Sequence, residues 1–141
     1  TEMARTGITA RRMERLGGRV ECFINHPEVR EKAMREKTTR SSAAVDYALP
    51  RLDGNICVVG NAPTSLLRLL SWVGKGECRP ALIVGMPVGF VNAAESKDIL
   101  MAQQKVPYIS IRGRKGGSSL AASVINQLAE IALREKVGSM Q

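Results

Sequence analysis

Three times in the second half of the chain, a short apolar run stops at a glycine-bearing turn and gives way to a helical pattern. The middle copy is ALIVGMPVGFVNAAES, Ala81 to Ser96: apolar residues from Ala81 to Val84, a stop at Gly85, Pro87 and Gly89 in the turn, then helical spacing. Upstream, Ile56-Cys57-Val58-Val59 runs into Gly60-Asn61-Ala62-Pro63-Thr64 and then SLLRLLSWV. Downstream, Tyr108-Ile109-Ser110-Ile111 runs into Arg112-Gly113-Arg114-Lys115-Gly116-Gly117 and then SSLAASVINQLAEIAL. Short branched runs between turn signals predict strands buried on both faces. Helices between them predict parallel pairing, because a parallel connection must cross over and a helix does so right-handedly. The repeat thus restricts the chain to a doubly wound, three-layer α/β/α fold with a mostly parallel sheet.

The first third is read by its punctuation. Residues 1–17 predict a short helical turn followed by a basic helix, halted at Gly17-Gly18. Arg19 to Ile24, RVECFI, alternates polar and apolar residues and predicts a fourth strand. Asn25-His26-Pro27-Glu28 starts an exposed helix, with Pro27 in its first turn and Asn25 or His26 as cap. A further helix starts at Thr38 or Thr39 and is limited by Pro50. Later, Asn92 followed by Glu95 predicts a capping box, with a helix start one turn earlier at Phe90 as the alternative. In the last helix Leu120, Val124, Leu128 and Ile131 or Ala132 fall on one face, predicted to be the core face.

At 141 residues the chain is the size of one domain, and residues 1–141 are taken as a single α/β domain. Its longest apolar runs fall short of a membrane span, so no membrane association is expected. Cys22, Cys57 and Cys78 are odd in number and lack CxxC spacing, which argues against a disulfide framework or a zinc site and for a reducing cytoplasm. The net charge of +8 predicts an anionic partner. Basic residues outnumber acidic ones ten to six in residues 1–40 and eleven to seven beyond. With aromatics at 4% and no basic block interleaved with them, nucleic acid is not the expected partner, and a polyanionic small molecule fits as well.

In doubly wound sheets, ligands sit beyond the carboxyl ends of the strands. Here those ends carry the three turns. Arg40, Arg112, Arg114 and Lys115 are candidates to neutralise carboxylates, arginine by two parallel hydrogen bonds. Asn61, Thr64 and Ser118 are candidate hydrogen-bond donors, and Gly85, Gly89, Gly116 and Gly117 are candidates for close backbone approach. GRKGGSS lacks the order of a phosphate loop, and no GxGxxG follows a strand. One histidine, His26, and no clustered carboxylates leave neither a catalytic triad nor a metal site. The residues alone point to an anion-binding α/β domain.

The same loops carry a resemblance. Gly60-Asn61-Ala62-Pro63-Thr64, Gly85-Met86-Pro87-Val88-Gly89-Phe90-Val91 with Ala93-Ala94-Glu95-Ser96-Lys97, and Val106-Pro107 leading to Arg112 through Ser118 resemble the precorrin-8X methylmutase family of cobalamin biosynthesis. Glu2-Met3-Ala4 with Gly7-Ile8, and Thr39-Arg40-Ser41 with Ala43-Ala44, extend it over the whole chain. The resemblance implies a flavodoxin-like fold and an isomerase that moves a methyl group between neighbouring carbons of a corrinoid ring. The conversion is precorrin-8X to hydrogenobyrinate or its cobalt-containing counterpart, in a cytoplasmic homodimer that uses no separate cofactor. A non-catalytic corrinoid-binding protein descended from the enzyme is the alternative. The family's acid-base histidine lies in an N-terminal segment ahead of Thr1, and His26 does not match it, so no catalytic residue is carried over. The first strand and that histidine are therefore expected upstream, in the full gene product or as a separate chain, with residues 1–141 corresponding to roughly the C-terminal two-thirds of a methylmutase domain.

Overall fold

The structure, a computed structural model, describes residues 1–140. Before the sheet come α1 (Glu2–Gly7), α2 (Ala10–Arg15), α3 (Pro27–Arg35), α4 (Arg40–Ala48) and a 3₁₀ turn at Leu49–Arg51. Then β1 (Ile56–Val59), α5 (Pro63–Gly74), β2 (Leu82–Gly85), α6 (Ala93–Ala102), β3 (Tyr108–Ser110) and α7 (Ser118–Gly138) alternate as the repeat predicts. The strands pair parallel in the order β1-β2-β3, with Ile56 opposite Leu82, Val59 opposite Gly85, and Gly85 opposite Ser110.

Alternate strand residues face opposite layers, and the two cores divide accordingly. Cys57, Val59 and Ile83 pack with Leu66, Leu69 and Leu70 of α5 and Leu100 of α6. Val58, Leu82, Val84 and Ile109 face the other way, onto Ile8, Ala121, Ala122 and Ile125. A third cluster, Val29, Ala33 and Ala43, joins α3 to α4. Burial pushes the Cys57 thiol up to about 12, with Cys78 nearby adding to the shift, so this cysteine is an unreactive packing residue.

Three expectations change. Residues 19–23 form no strand; the sheet has three strands among the described residues. The alternation there is divided between two cores: Val20 packs toward Ile8 and Val84, while Phe23 goes to the α3–α4 cluster and stacks on Tyr47 at 5.4 Å. No neighbouring strand pairs with this backbone among the described residues, so the alternation has no sheet to join. The capping box at Asn92 does not form: Asn92 caps α6 in the left-handed region, φ 63°, without a side-chain hydrogen bond. The fully buried face of α7 is Ala121, Ala122, Ile125, Ala129 and Leu133; of the expected stripe, Val124 and Leu128 are half-buried against the same core, while Leu120 and Ile131 are exposed. The small residues let α1 approach, and a Cβ on Gly7 would lie 2.9 Å from that of Ala122.

Caps hold as read. Thr39 accepts from the Ser42 amide at 3.1 Å. His26 caps α3, its Nδ1 accepting from the Glu28 amide at 3.4 Å and its Nε2 lying 3.1 Å from the Tyr47 hydroxyl. Asn126 of α7 bridges α1 and α2, donating to the Gly7 carbonyl at 2.9 Å and accepting from the Thr9 amide at 2.8 Å. No helix among the described residues is long and apolar enough to cross a membrane.

Candidate functional site

The turns that follow β1, β2 and β3 meet at the carboxyl edge of the sheet because all three strands point the same way. Backbone contacts join them. The Val88 amide donates to the Asn61 carbonyl at 3.1 Å, the Gly89 amide to the Arg114 carbonyl at 3.3 Å, and the Gly117 amide to the Met86 carbonyl at 2.9 Å. Gly116 is required by that fit, since a Cβ would collide with the Met86 carbonyl oxygen. Gly117, at φ 121°, turns the chain into α7 through a conformation that side chains rarely adopt. Gly60 packs equally close: a Cβ there would sit 2.7 Å from Cα of Ser118.

Between the first and third turns lies a shallow cleft of about 390 Å³, lined by Thr1, Met3, Gly60, Asn61, Val88 and residues 116–119. The buried hydroxyl of Ser118 and that of Thr1 are 2.7 Å apart on its wall. At one side, the Thr39 hydroxyl donates to the Thr64 hydroxyl at 3.2 Å and the Ser42 hydroxyl to the Thr64 carbonyl at 3.4 Å. Those bonds pin the start of α4, and with it Arg40, against the start of α5. Arg112, Arg114 and Lys115, on the turn between β3 and α7, are all exposed. The Arg114 guanidinium lies 4.9 Å from the centre of the exposed Phe90 ring.

Among the described residues, Arg40, Arg112, Arg114 and Lys115 have no carboxylate partner; Asp46, on the same helix as Arg40, is taken by Arg68 and Lys32. None of the four lines the cleft itself; Lys115 directly precedes its lining residue Gly116, and unpaired cations on strand-end turns have the chemistry to bind an anion with several negative groups.

Of the residues singled out from sequence, Asn61, Gly116, Gly117 and Ser118 line the cleft, and Arg40, Thr64, Gly89, Arg112, Arg114 and Lys115 belong to the turns and helix starts around it. Gly85 does not contribute to this surface. It is buried, and a Cβ on it would run into Leu100 and Leu66, so this glycine serves helix packing beneath the edge. Sequence reasoning missed Lys97. Its side chain is fully buried, and its Nζ donates to the Lys115 carbonyl at 2.6 Å. A signal was present: Ala93, Ser96, Lys97 and Leu100 share the buried face of α6, so a lysine stood at a core position of the helical period. Thr1, Met3 and Phe90 carried no such signal.

A parallel α/β domain with a cleft at the carboxyl edge of its strands is the class that fold and site define. The precorrin-8X methylmutase family model matches residues 1–131, and the chain belongs to that family. It is 41% identical over 131 residues to a cobalt-precorrin-8 methylmutase of Priestia megaterium, covering 93% of this chain and 58% of that protein. It is 44% identical over 128 residues to a precorrin-8X methylmutase of Pseudomonas aeruginosa, covering 90% and 61%. A solved precorrin-8X methylmutase of Thermus thermophilus superposes with a TM-score of 0.85 at 45% identity, covering 94% of this chain and 63% of that one. The chain thus spans about six-tenths of the length of the curated relatives it matches.

Proposed function

We propose that this chain forms the ring-binding part of a corrinoid methylmutase, an isomerase that moves a methyl group on precorrin-8X to give hydrogenobyrinate, or on the cobalt-containing counterpart. One observation carries the reading: the turn after β3 carries Arg112, Arg114 and Lys115 without carboxylate partners among the described residues and runs directly into the cleft wall at residues 116–119, while Arg40 starts the helix held against the turn after β1. A corrinoid of this stage is a flat macrocycle fringed with carboxylates. Its edge suits the cleft, its fringe suits Arg40, Arg112, Arg114 and Lys115, and the exposed faces of Phe90 and Val91 offer apolar surface beside them. The cleft holds an edge of such a ring and not the whole, which agrees with further contacts from a second subunit or from residues beyond this chain.

No acid-base role is assigned to His26, whose two ring nitrogens are engaged in the α3 cap and with Tyr47. In this reading the residues here bind and orient the ring, and the proton that eases the methyl shift comes from outside them. The test is absorbance titration of the protein with hydrogenobyrinate. Binding in the wild type, weakened about tenfold in Arg40→Ala or Arg114→Ala, is the expected result. Unaltered affinity in both variants removes the site assignment.

A further inference from the structure

Lys97 is the largest fully buried side chain of the protein. An ammonium has three N–H donors, and the structure gives this one a single acceptor, the Lys115 carbonyl at 2.6 Å. It has no carboxylate partner among the described residues. Burial lowers its pKa below the ordinary lysine value, and the charge of the exposed Asp98 pulls the other way. A buried charge held by one neutral carbonyl is a poor stabiliser, because desolvation outweighs what one hydrogen bond returns. A lysine kept in such a place serves something other than the stability of the empty fold.

What it holds is the cationic turn. Residues 112–117 are joined to the preceding turn by two backbone hydrogen bonds, from Gly89 to Arg114 and from Gly117 to Met86. Lys97 supplies the only side-chain hydrogen bond to this turn from α6 among the described residues, and it does so at Lys115, between those two points. Pulling the carbonyl inward fixes the backbone from which Arg112, Arg114 and Lys115 project.

We propose that Lys97 is a positioning residue of the site: its buried ammonium ties the Arg112–Gly117 turn to α6 and sets its cations for a polyanionic ligand. The inference rests on the corrinoid reading for the identity of that anion and on geometry alone for the tie.

The experiment compares wild type with Lys97→Met, which fills the space without the charge, and Lys97→Arg, which keeps charge and donor. Hydrogenobyrinate affinity, thermal unfolding of the free protein, and trypsin cleavage after Arg112, Arg114 and Lys115 are measured for each. Lys97→Met is expected to unfold at no lower temperature than wild type, to bind about tenfold more weakly, and to be cut in the turn about tenfold faster; Lys97→Arg recovers most of both losses. Should Lys97→Met fail to fold, Lys97→Gln carries the same measurements. Affinity within about twofold of wild type, unchanged cleavage of the turn, or a loss of stability that accounts for both changes overturns the proposal. If wild type fails to bind hydrogenobyrinate while the turn of the Met variant is still cut faster, the corrinoid reading falls and the positioning role stands.

Discussion

Two charged regions of the molecule are organised in opposite ways. Where α3, α4 and α5 meet, Asp46 accepts from Arg68 through both oxygens at 2.6 and 3.0 Å and from the Trp72 indole at 2.7 Å, with Lys32 at 3.7 Å. Each charge in that knot has a partner. At the carboxyl edge of the sheet, Arg40, Arg112, Arg114 and Lys115 have none among the described residues, and buried Lys97 has only a carbonyl. The knot is held by charge, and the edge is held by backbone contact at glycines. Charges that stabilise a fold are neutralised within it, while charges kept for a ligand wait for theirs.

If the edge depends on close backbone approach, the largest effect is Gly116→Ala, which puts a Cβ against the Met86 carbonyl; a loss of about 3 kcal/mol in urea unfolding is expected, with loss of hydrogenobyrinate binding. A cost under about 1 kcal/mol would mean that the turns can separate freely. Asp46→Ala comes next. It strands Arg68, itself 36% exposed, and is expected to cost about 2 kcal/mol while leaving affinity unchanged.

Burial alone would raise the Asp46 carboxyl, but hydrogen bonds from Arg68 and Trp72 and the charges of Arg68 and Lys32 hold it below its ordinary value of 3.8. Its contribution is therefore complete above that pH and is lost as the solution is acidified through the lowered folded value. The stability difference between wild type and Asp46→Ala should be flat from neutrality down to about pH 4 and shrink only in more acid solution; a difference already fading near pH 6 would contradict the assignment.

Arg114→Ala is expected to lower affinity about tenfold, about 1.4 kcal/mol, with an unfolding curve superimposable on wild type, the reverse of Asp46→Ala. The smallest effect is Arg12→Ala, on a half-exposed pair with Glu130 at 3.2 Å, which should move stability by less than about 0.5 kcal/mol.

The sheet and its crossover helices were legible because each change from a run of branched residues to helical spacing falls at a glycine or proline, and those residues act locally. The segment around Arg19 to Ile24 was not, because the separate destinations of Val20 and Phe23 are decided by distant helices. The face of α7 was only partly legible for a related reason: Val124 and Leu128 do pack on the core, Leu120 and Ile131 do not. Large residues marked one stripe, but close approach to the sheet and α1 selected the stripe of alanines beside it. At the site, the strand-end glycines read alike in sequence, and only packing separates Gly116 against the Met86 carbonyl from Gly85 beneath Leu100. The family resemblance located the loops. It did not reveal that a lysine in one of them is buried.

The contact between α1 and α7 joins residues more than a hundred positions apart, as in the bond from Thr1 to Ser118. Closing so long a loop carries an entropic penalty that a crossover of some twenty-five residues between neighbouring strands does not. The sheet with α5 and α6 can therefore assemble before α1 docks, and amides of α1 should exchange with solvent ahead of those in β2. Since Thr1 and Met3 line the cleft, that order of exchange would mean that the cleft wall forms last and opens first.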